Sequence, residues 1–131
     1  MESLVQGDQR IKFFFETIRD DELADFFVAA DCVVAAYSGF SASASGVATL
    51  AASFGKPVVA PKTGCIPEQL GDTSLLYDPK VPNGLRLALE KAATSDLTMI
   101  GAKNLAKVQN LSWNKIAQKT AMVYQSAFGA R

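Results

Sequence analysis

Two periods alternate along the chain. Ile11 to Phe15 holds four apolar residues, three of them Phe, and predicts a strand. Asp20-Asp21-Glu22 then supplies an N-cap and first-turn acids for a helix. In that helix, over 20–30, Leu23, Phe26, Phe27 and Ala30 recur at i, i+3, i+4 and i+7, one apolar stripe facing a core. Cys32 to Ala36 is a continuous run of small apolar residues with two valines, the pattern of a central parallel strand covered on both faces. After the Ser- and Gly-rich stretch Tyr37 to Ser45, Val47, Leu50, Ala51 and Phe54 resume the helical period, and Gly55 ends it.

The second half repeats the alternation. Pro57 to Ala60 predicts a short strand, with Pro57 tolerated because it comes first. Ile66 to Leu70 predicts a short helix with Pro67 in its first turn, and Ser74 to Tyr77 a last strand. Pro82 is placed to open a helix carrying Leu85, Ala88, Leu89 and Ala92. A further helix runs from about Asp96 to Val108, capped by Ser95 or Asp96. Ser112 caps a final helix with Trp113, Ile116, Ala117, Thr120, Tyr124 and Phe128 on one side. Strands alternating with helices imply a parallel sheet with right-handed crossovers. The expected fold is therefore α/β and Rossmann-like, with helices on both faces of the sheet. There is no internal repeat, linker or low-complexity tract.

Length and charge narrow the function classes. The 131 residues fit a single domain that can bury a core without metals or disulfides. Lys plus Arg (13) equal Asp plus Glu (13), so no overall field favours nucleic acid or an anionic membrane. The chain has no histidine, which removes Ser-His and Cys-His nucleophiles and histidine metal sites together. Two cysteines are too few for a disulfide framework and lack CxxC spacing, so reduced thiols in a cytoplasmic protein are expected. Cys32 reads as a small core hydrophobe and Cys65 as a loop residue. The most apolar stretch, Phe26 to Tyr37, is shorter than a bilayer span and is interrupted by Asp31, so no transmembrane helix is expected. Residues 1–10 lack an apolar signal-peptide core and read as a flexible tail or the end of an interrupted helix.

In an open parallel sheet, ligands bind outside the carboxyl ends of the strands, where the loop after Ala36 falls. Ser38, Gly39, Ser41, Ser43, Ser45 and Gly46 give a loop that a ligand can approach closely. With Ser45 as helix cap, the amides of Gly46 and Val47 point outward, and with the helix dipole they suit a phosphate. The same loop also reads as an ordinary turn with an N-cap, because it matches neither GxGxxG nor GxxxxGK[ST]. A second loop, Pro61 to Glu68, lies at the same sheet edge, and Lys62 there is placed to meet an anion or simply to be solvated. The helix dipole alone accounts for Glu68.

Seven fragments stand in a familiar order: Asp21-Glu22-Leu23-Ala24, Ala30-Asp31-Cys32-Val33-Val34, Ser45-Gly46-Val47, Gly55-Lys56-Pro57-Val58-Val59-Ala60, Gly64-Cys65-Ile66-Pro67-Glu68, Leu76-Tyr77-Asp78-Pro79 and Leu111-Ser112-Trp113. In these the chain, from Ile11 onward, resembles the C-terminal, donor-binding domain of group 1 (family 4) GT-B glycosyltransferases. These are retaining enzymes that use nucleotide-sugar donors. The resemblance implies that the loop and helix around Ser45, Gly46 and Val47 hold the donor diphosphate through backbone amides, with the sugar near the Gly64 loop. Tyr37, Ser43, Lys62 and Gly64 are further candidate donor contacts beside them, and Glu68 is a candidate whose dipole reading ranks above the functional one. The resemblance implies transfer without a bound metal or other cofactor, by electrostatic stabilisation of the leaving diphosphate. No catalytic residue is assigned.

The chain departs from the family in two places. Many members bracket the diphosphate helix with two glutamates that have seven residues between them, holding donor sugar and ribose, and this chain has Ala42 and Leu50 there. The serine-glycine loop is similar to a variant without the full pair, so an active enzyme with an altered sugar pocket and a non-catalytic binding or assembly module both stand. Complete members also carry a preceding acceptor-binding domain and two further strands with a basic Arg and Lys pair. The chain thus reads as the C-terminal half of a GT-B fold truncated at its N-terminus, with an exposed sheet edge that favours self-association. The expected location is cytoplasmic, with peripheral membrane attachment open for a full-length parent. A flavodoxin-like or receiver domain is disfavoured, because no acidic pocket or phosphoacceptor pattern is apparent.

Overall fold

A computed structural model describes residues 8–37 and 44–129. The elements run α1 (Asp20–Ala29), β1 (Val33–Val34), α2 (Gly46–Ser53), β2 (Val58–Pro61), α3 (Ile66–Gln69), β3 (Leu76–Tyr77), α4 (Gly84–Thr94), α5 (Leu97–Gln109) and α6 (Trp113–Gly129). The three strands form one parallel sheet in the order β1-β2-β3. Val33 pairs with Val58 and Val34 with Val59, and on the other side Ala60 pairs with Leu76 and Pro61 with Tyr77. Every connection between neighbouring strands passes through a helix, as a parallel sheet requires.

Strand pleating divides the core in two. Val58 and Ala60 point into a cluster with Phe27 of α1, Ala48, Ala51 and Ala52 of α2, and Ile66 of α3. Val59, between them, points the other way, into a cluster with Leu75, Ala88 and Ala92 of α4, and Ile100 of α5. Helices therefore cover both faces of β2, and all four of its residues are buried. This is the expected α/β, Rossmann-like arrangement.

Helix ends follow local chemistry. α2 closes in a Schellman motif: Lys56 N–H bonds the Ala51 carbonyl at 2.9 Å and Gly55 N–H the Ala52 carbonyl at 3.0 Å. Gly55 takes the left-handed φ of 65° that this turn needs. Asp96 caps α5 through the Met99 amide at 3.0 Å, and Ser112 Oγ accepts from the Lys115 amide at 3.4 Å. The buried Asn104 side chain of α5 ties three backbone segments together. Its Oδ1 accepts from the amides of Gly71 and Asp72, each at 3.0 Å, and its Nδ2 donates to the Lys56 carbonyl at 3.1 Å.

Several expectations are corrected. Residues 11–15 are not a strand: Phe13, Phe14 and Phe15 are exposed, Phe13 stacks on Phe15, and Phe14 meets the edge of Phe26. A strand needs a ladder neighbour, and among the described residues β1 pairs only with β2. For the same reason the 32–36 run is an edge strand rather than a central one, with Val34 47 % exposed, and β2 takes the centre. Within the α1 stripe, Phe27 is buried while Phe26 faces out toward Phe14. Arg19, not an acid, is the N-cap residue of α1 and makes no side-chain cap bond. α4 opens at Gly84 rather than Pro82, because Asn83 is left-handed and Gly84 packs tightly against the Asp78 carbonyl. The apolar side of α6 buries nothing among the described residues. Residues 1–7, read as a tail, lie outside the described residues.

Candidate functional site

The carboxyl ends of the three strands bring three segments to one edge: the approach to α2 after β1, residues 62–65 after β2, and residues 78–80 after β3. α2 starts where Ser45 changes the backbone from extended (φ −115°, ψ 112°) to helical, its Oγ accepting from the Ala48 amide at 3.0 Å. Ser45 is buried at 2 % exposure, and its polar groups are committed internally. Tyr37 Oη lies 2.9 Å from its Oγ. Its own amide donates to Gln69 Oε1 at 2.9 Å, and its carbonyl accepts from Gln69 Nε2 at 3.2 Å. Gln69 Nε2 also donates to Thr49 Oγ1 at 2.7 Å, so α3 is clamped to the first turn of α2.

The next two residues differ. Gly46 and Val47 are exposed, their amides meet no acceptor among the described residues, and a Cβ on Gly46 would meet open space. Two first-turn N–H groups at the positive end of α2 thus face outward, an arrangement that favours an anion.

Lys62 and Gly64 belong to a neighbouring recess of about 320 Å³, shared with Thr63, Asp78, Pro79 and Lys80. Lys62 N–H bonds the Tyr77 carbonyl at 2.7 Å, which fixes the β2 exit against the β3 exit, while the Lys62 side chain is exposed. Gly64 adopts a left-handed φ of 54°, which lets the chain turn into α3. Thr63 Oγ1 is buried with no hydrogen-bond partner among the described residues. Glu68 sits in the first turn of α3 with an exposed side chain, in keeping with the dipole reading.

Of the residues singled out in the sequence, the structure joins Tyr37 and Ser45 directly and places Gly46 and Val47 beside them. Lys62 and Gly64 line the adjoining recess, and Glu68 stands apart on α3. Ser43 and Ala42 lie outside the described residues. Leu50, at the second glutamate position, packs against the core. Gln69, the residue that links the two halves of this edge, was not legible in the sequence. It is 24 residues from Ser45 and belongs to no motif. No group of His, Cys, Asp and Glu side chains suited to a metal occurs among the described residues.

This chain is 30 % identical over 118 residues to an MMP alpha-(1->4)-mannosyltransferase of Mycolicibacterium hassiacum. The similarity supports a glycosyltransferase relationship. The match covers 84 % of this chain but only 28 % of that relative, so the chain spans less than a third of the relative's length. No protein-family model matches the chain, and no solved structure does. Among the described residues no helix is long and apolar enough to cross a membrane.

Proposed function

We propose that this chain is the donor-binding part of a retaining GT-B glycosyltransferase of group 1, which moves a sugar from a nucleotide-diphosphate-sugar donor to an acceptor. The observation that carries the reading is the pair of outward amides, Gly46 and Val47, at the capped start of α2 beside the carboxyl edge of a parallel sheet. The similarity to a mannosyltransferase independently supports the glycosyltransferase part of this reading. In this reading Gly46 and Val47 contact the diphosphate, while Ser45 sets their direction with Tyr37 and Ser43 alongside. Lys62 and Gly64 border the sugar, and Glu68 lies at the periphery. Two N–H donors fixed before the reaction stabilise the charge that gathers on the departing diphosphate without reorganising. The acceptor site belongs to a separate domain, and this chain by itself turns over no substrate.

The test isolates one amide. Position 46 is the first helical residue and follows an extended Ser45, a setting that accepts proline, so Gly46→Pro deletes the N–H while keeping the helix start. Calorimetric titration with inorganic pyrophosphate and with nucleoside diphosphates is expected to show binding by the unaltered chain and by Gly46→Ala. Gly46→Pro is expected to bind about tenfold more weakly, the value of one hydrogen bond to a charged group. Equal binding by all three, or by none, removes the reading.

One observation favours a second reading, a non-catalytic nucleotide-binding or assembly module. Leu50 stands where many relatives of the GT-B group place a donor-holding glutamate, and it packs into the core. Mass-spectrometric detection of sugar transfer by the longer protein, supplied with a panel of nucleotide sugars, separates the two: turnover selects the enzyme, and diphosphate binding without turnover selects the module.

A further inference from the structure

Two exposed apolar surfaces among the described residues carry opposite charge. The first is a recess of about 630 Å³ between the 13–18 segment and α1, whose apolar wall is Phe13, Phe14, Phe15, Ile18 and Phe26. Glu16, Glu22 and Asp25 line the same recess, and none of the three forms an ion pair among the described residues. Glu22, Asp25 and Phe26 fall at i, i+3 and i+4 on α1, so acids and aromatic stand on one face. The second surface is α6, 17 residues long with none buried. Trp113 is 85 % exposed and Phe128 75 %, and Ile116 and Tyr124 are exposed as well. Ile116, Thr120, Tyr124 and Phe128 form one i, i+4 row with Trp113 and Ala117 beside it, and Lys119 lies one row away, three residues from Ile116. Lys115 and Lys119 are the only charged residues of α6, which has no acid at all.

We infer that α6 of one copy of this chain docks in the aromatic recess of a second copy, so that two copies exchange their C-terminal helices. The apolar row enters between Phe14, Phe15 and Phe26, and Lys115 and Lys119 meet the rim carboxylates Glu16, Glu22 and Asp25. A basic amphipathic helix laid in an acidic, apolar groove satisfies both surfaces at once. Both parts of the pairing belong to every copy, and no residue of α6 is buried among the described residues, so reciprocal exchange gives a closed two-fold dimer that covers both surfaces. The inference does not depend on the proposed function.

Trp113 is the only tryptophan, so intrinsic emission reports on α6 alone. Sedimentation and emission of the 131-residue chain are followed together over a concentration series. The expected result is a species of twice 14.0 kDa forming as the Trp113 emission moves to the blue. Lys115→Glu with Lys119→Glu is expected to weaken the dimer about tenfold. Adding Glu22→Lys and Asp25→Lys to that variant is expected to restore it. A monomer with red emission up to about 1 mM, where even weak association registers, overturns the inference. So does blue emission independent of concentration, which places α6 on its own chain. A dimer indifferent to both charge reversals also overturns it, because another surface, such as the open edge of β1, then joins the copies.

Discussion

Gln69 holds Ser45 at both ends of its backbone, taking the Ser45 amide on Oε1 at 2.9 Å and giving Nε2 to the Ser45 carbonyl at 3.2 Å. A side chain from α3 thus satisfies the residue that starts α2. Replacing Gln69 by Ala strands buried polar groups of Ser45 and is expected to cost about 1–3 kcal/mol in urea unfolding. Gln69→Glu keeps the acceptor but sets a carboxylate against the Ser45 carbonyl, so it is expected to recover little of that loss. If Gln69→Ala unfolds at the same urea midpoint as the parent chain, the clamp has no energetic weight.

Glycine-to-alanine changes are expected to act with opposite sign at two helical positions. A Cβ on Gly101 of α5 would run into the Gly55 carbonyl at the end of α2, and both segments are backbone, which cannot step aside. Gly101→Ala is therefore expected to lose about 1–3 kcal/mol by overpacking. At Gly46 the added methyl meets open space, and Gly46→Ala is expected to gain about 0.5–1 kcal/mol from the reduced freedom of the unfolded chain. Thermal midpoints of the two variants moving in the same direction would contradict this account of the α2–α5 contact.

Acid stability should carry the mark of Asp72. Its hydrogen bond from Lys103 Nζ at 2.8 Å, assisted by hydrogen bonds from Ser74, holds its carboxyl at about 2 against an ordinary value of 3.8. A carboxyl lowered on folding contributes stability that is full above its unfolded value and is lost as pH falls through its folded value. The expected loss therefore runs from about pH 4 down to about pH 2. Lys103→Met is expected to flatten that part of the pH profile, measured by urea unfolding at fixed pH, and an unchanged profile would assign the acid sensitivity elsewhere.

The two thiols should react at different rates. Burial pushes the Cys32 thiol up from its ordinary value, and the half-buried residue packs against the core cluster around Val59, whereas Cys65 is exposed at the start of α3. Titration with a chromogenic disulfide reagent is expected to give one fast equivalent, lost in Cys65→Ser, and a second only on unfolding. Two fast equivalents in the native chain would mean that the β1 edge opens readily.

Outside residues 11–15, the sequence by itself determined the kind of each element and roughly where it lies. Periodicity depends on neighbours within a turn or two, so the valine runs at 33–34 and 58–59, the Ser45, Asp96 and Ser112 caps and the Gly55 stop are all legible locally. Alternation of strands and helices fixed a parallel sheet, because a parallel return needs a crossover. Tertiary structure decided what depends on distant partners. It made β2 rather than β1 the central strand, since centrality means having a ladder on each side. It left Phe13, Phe14 and Phe15 without a strand partner and α6 with no buried residue among the described ones, because an apolar stripe announces that a face wants burial without naming what buries it. It also supplied Gln69 and Asn104, two amides whose bonds reach 24 to 48 residues along the chain and leave no periodic trace.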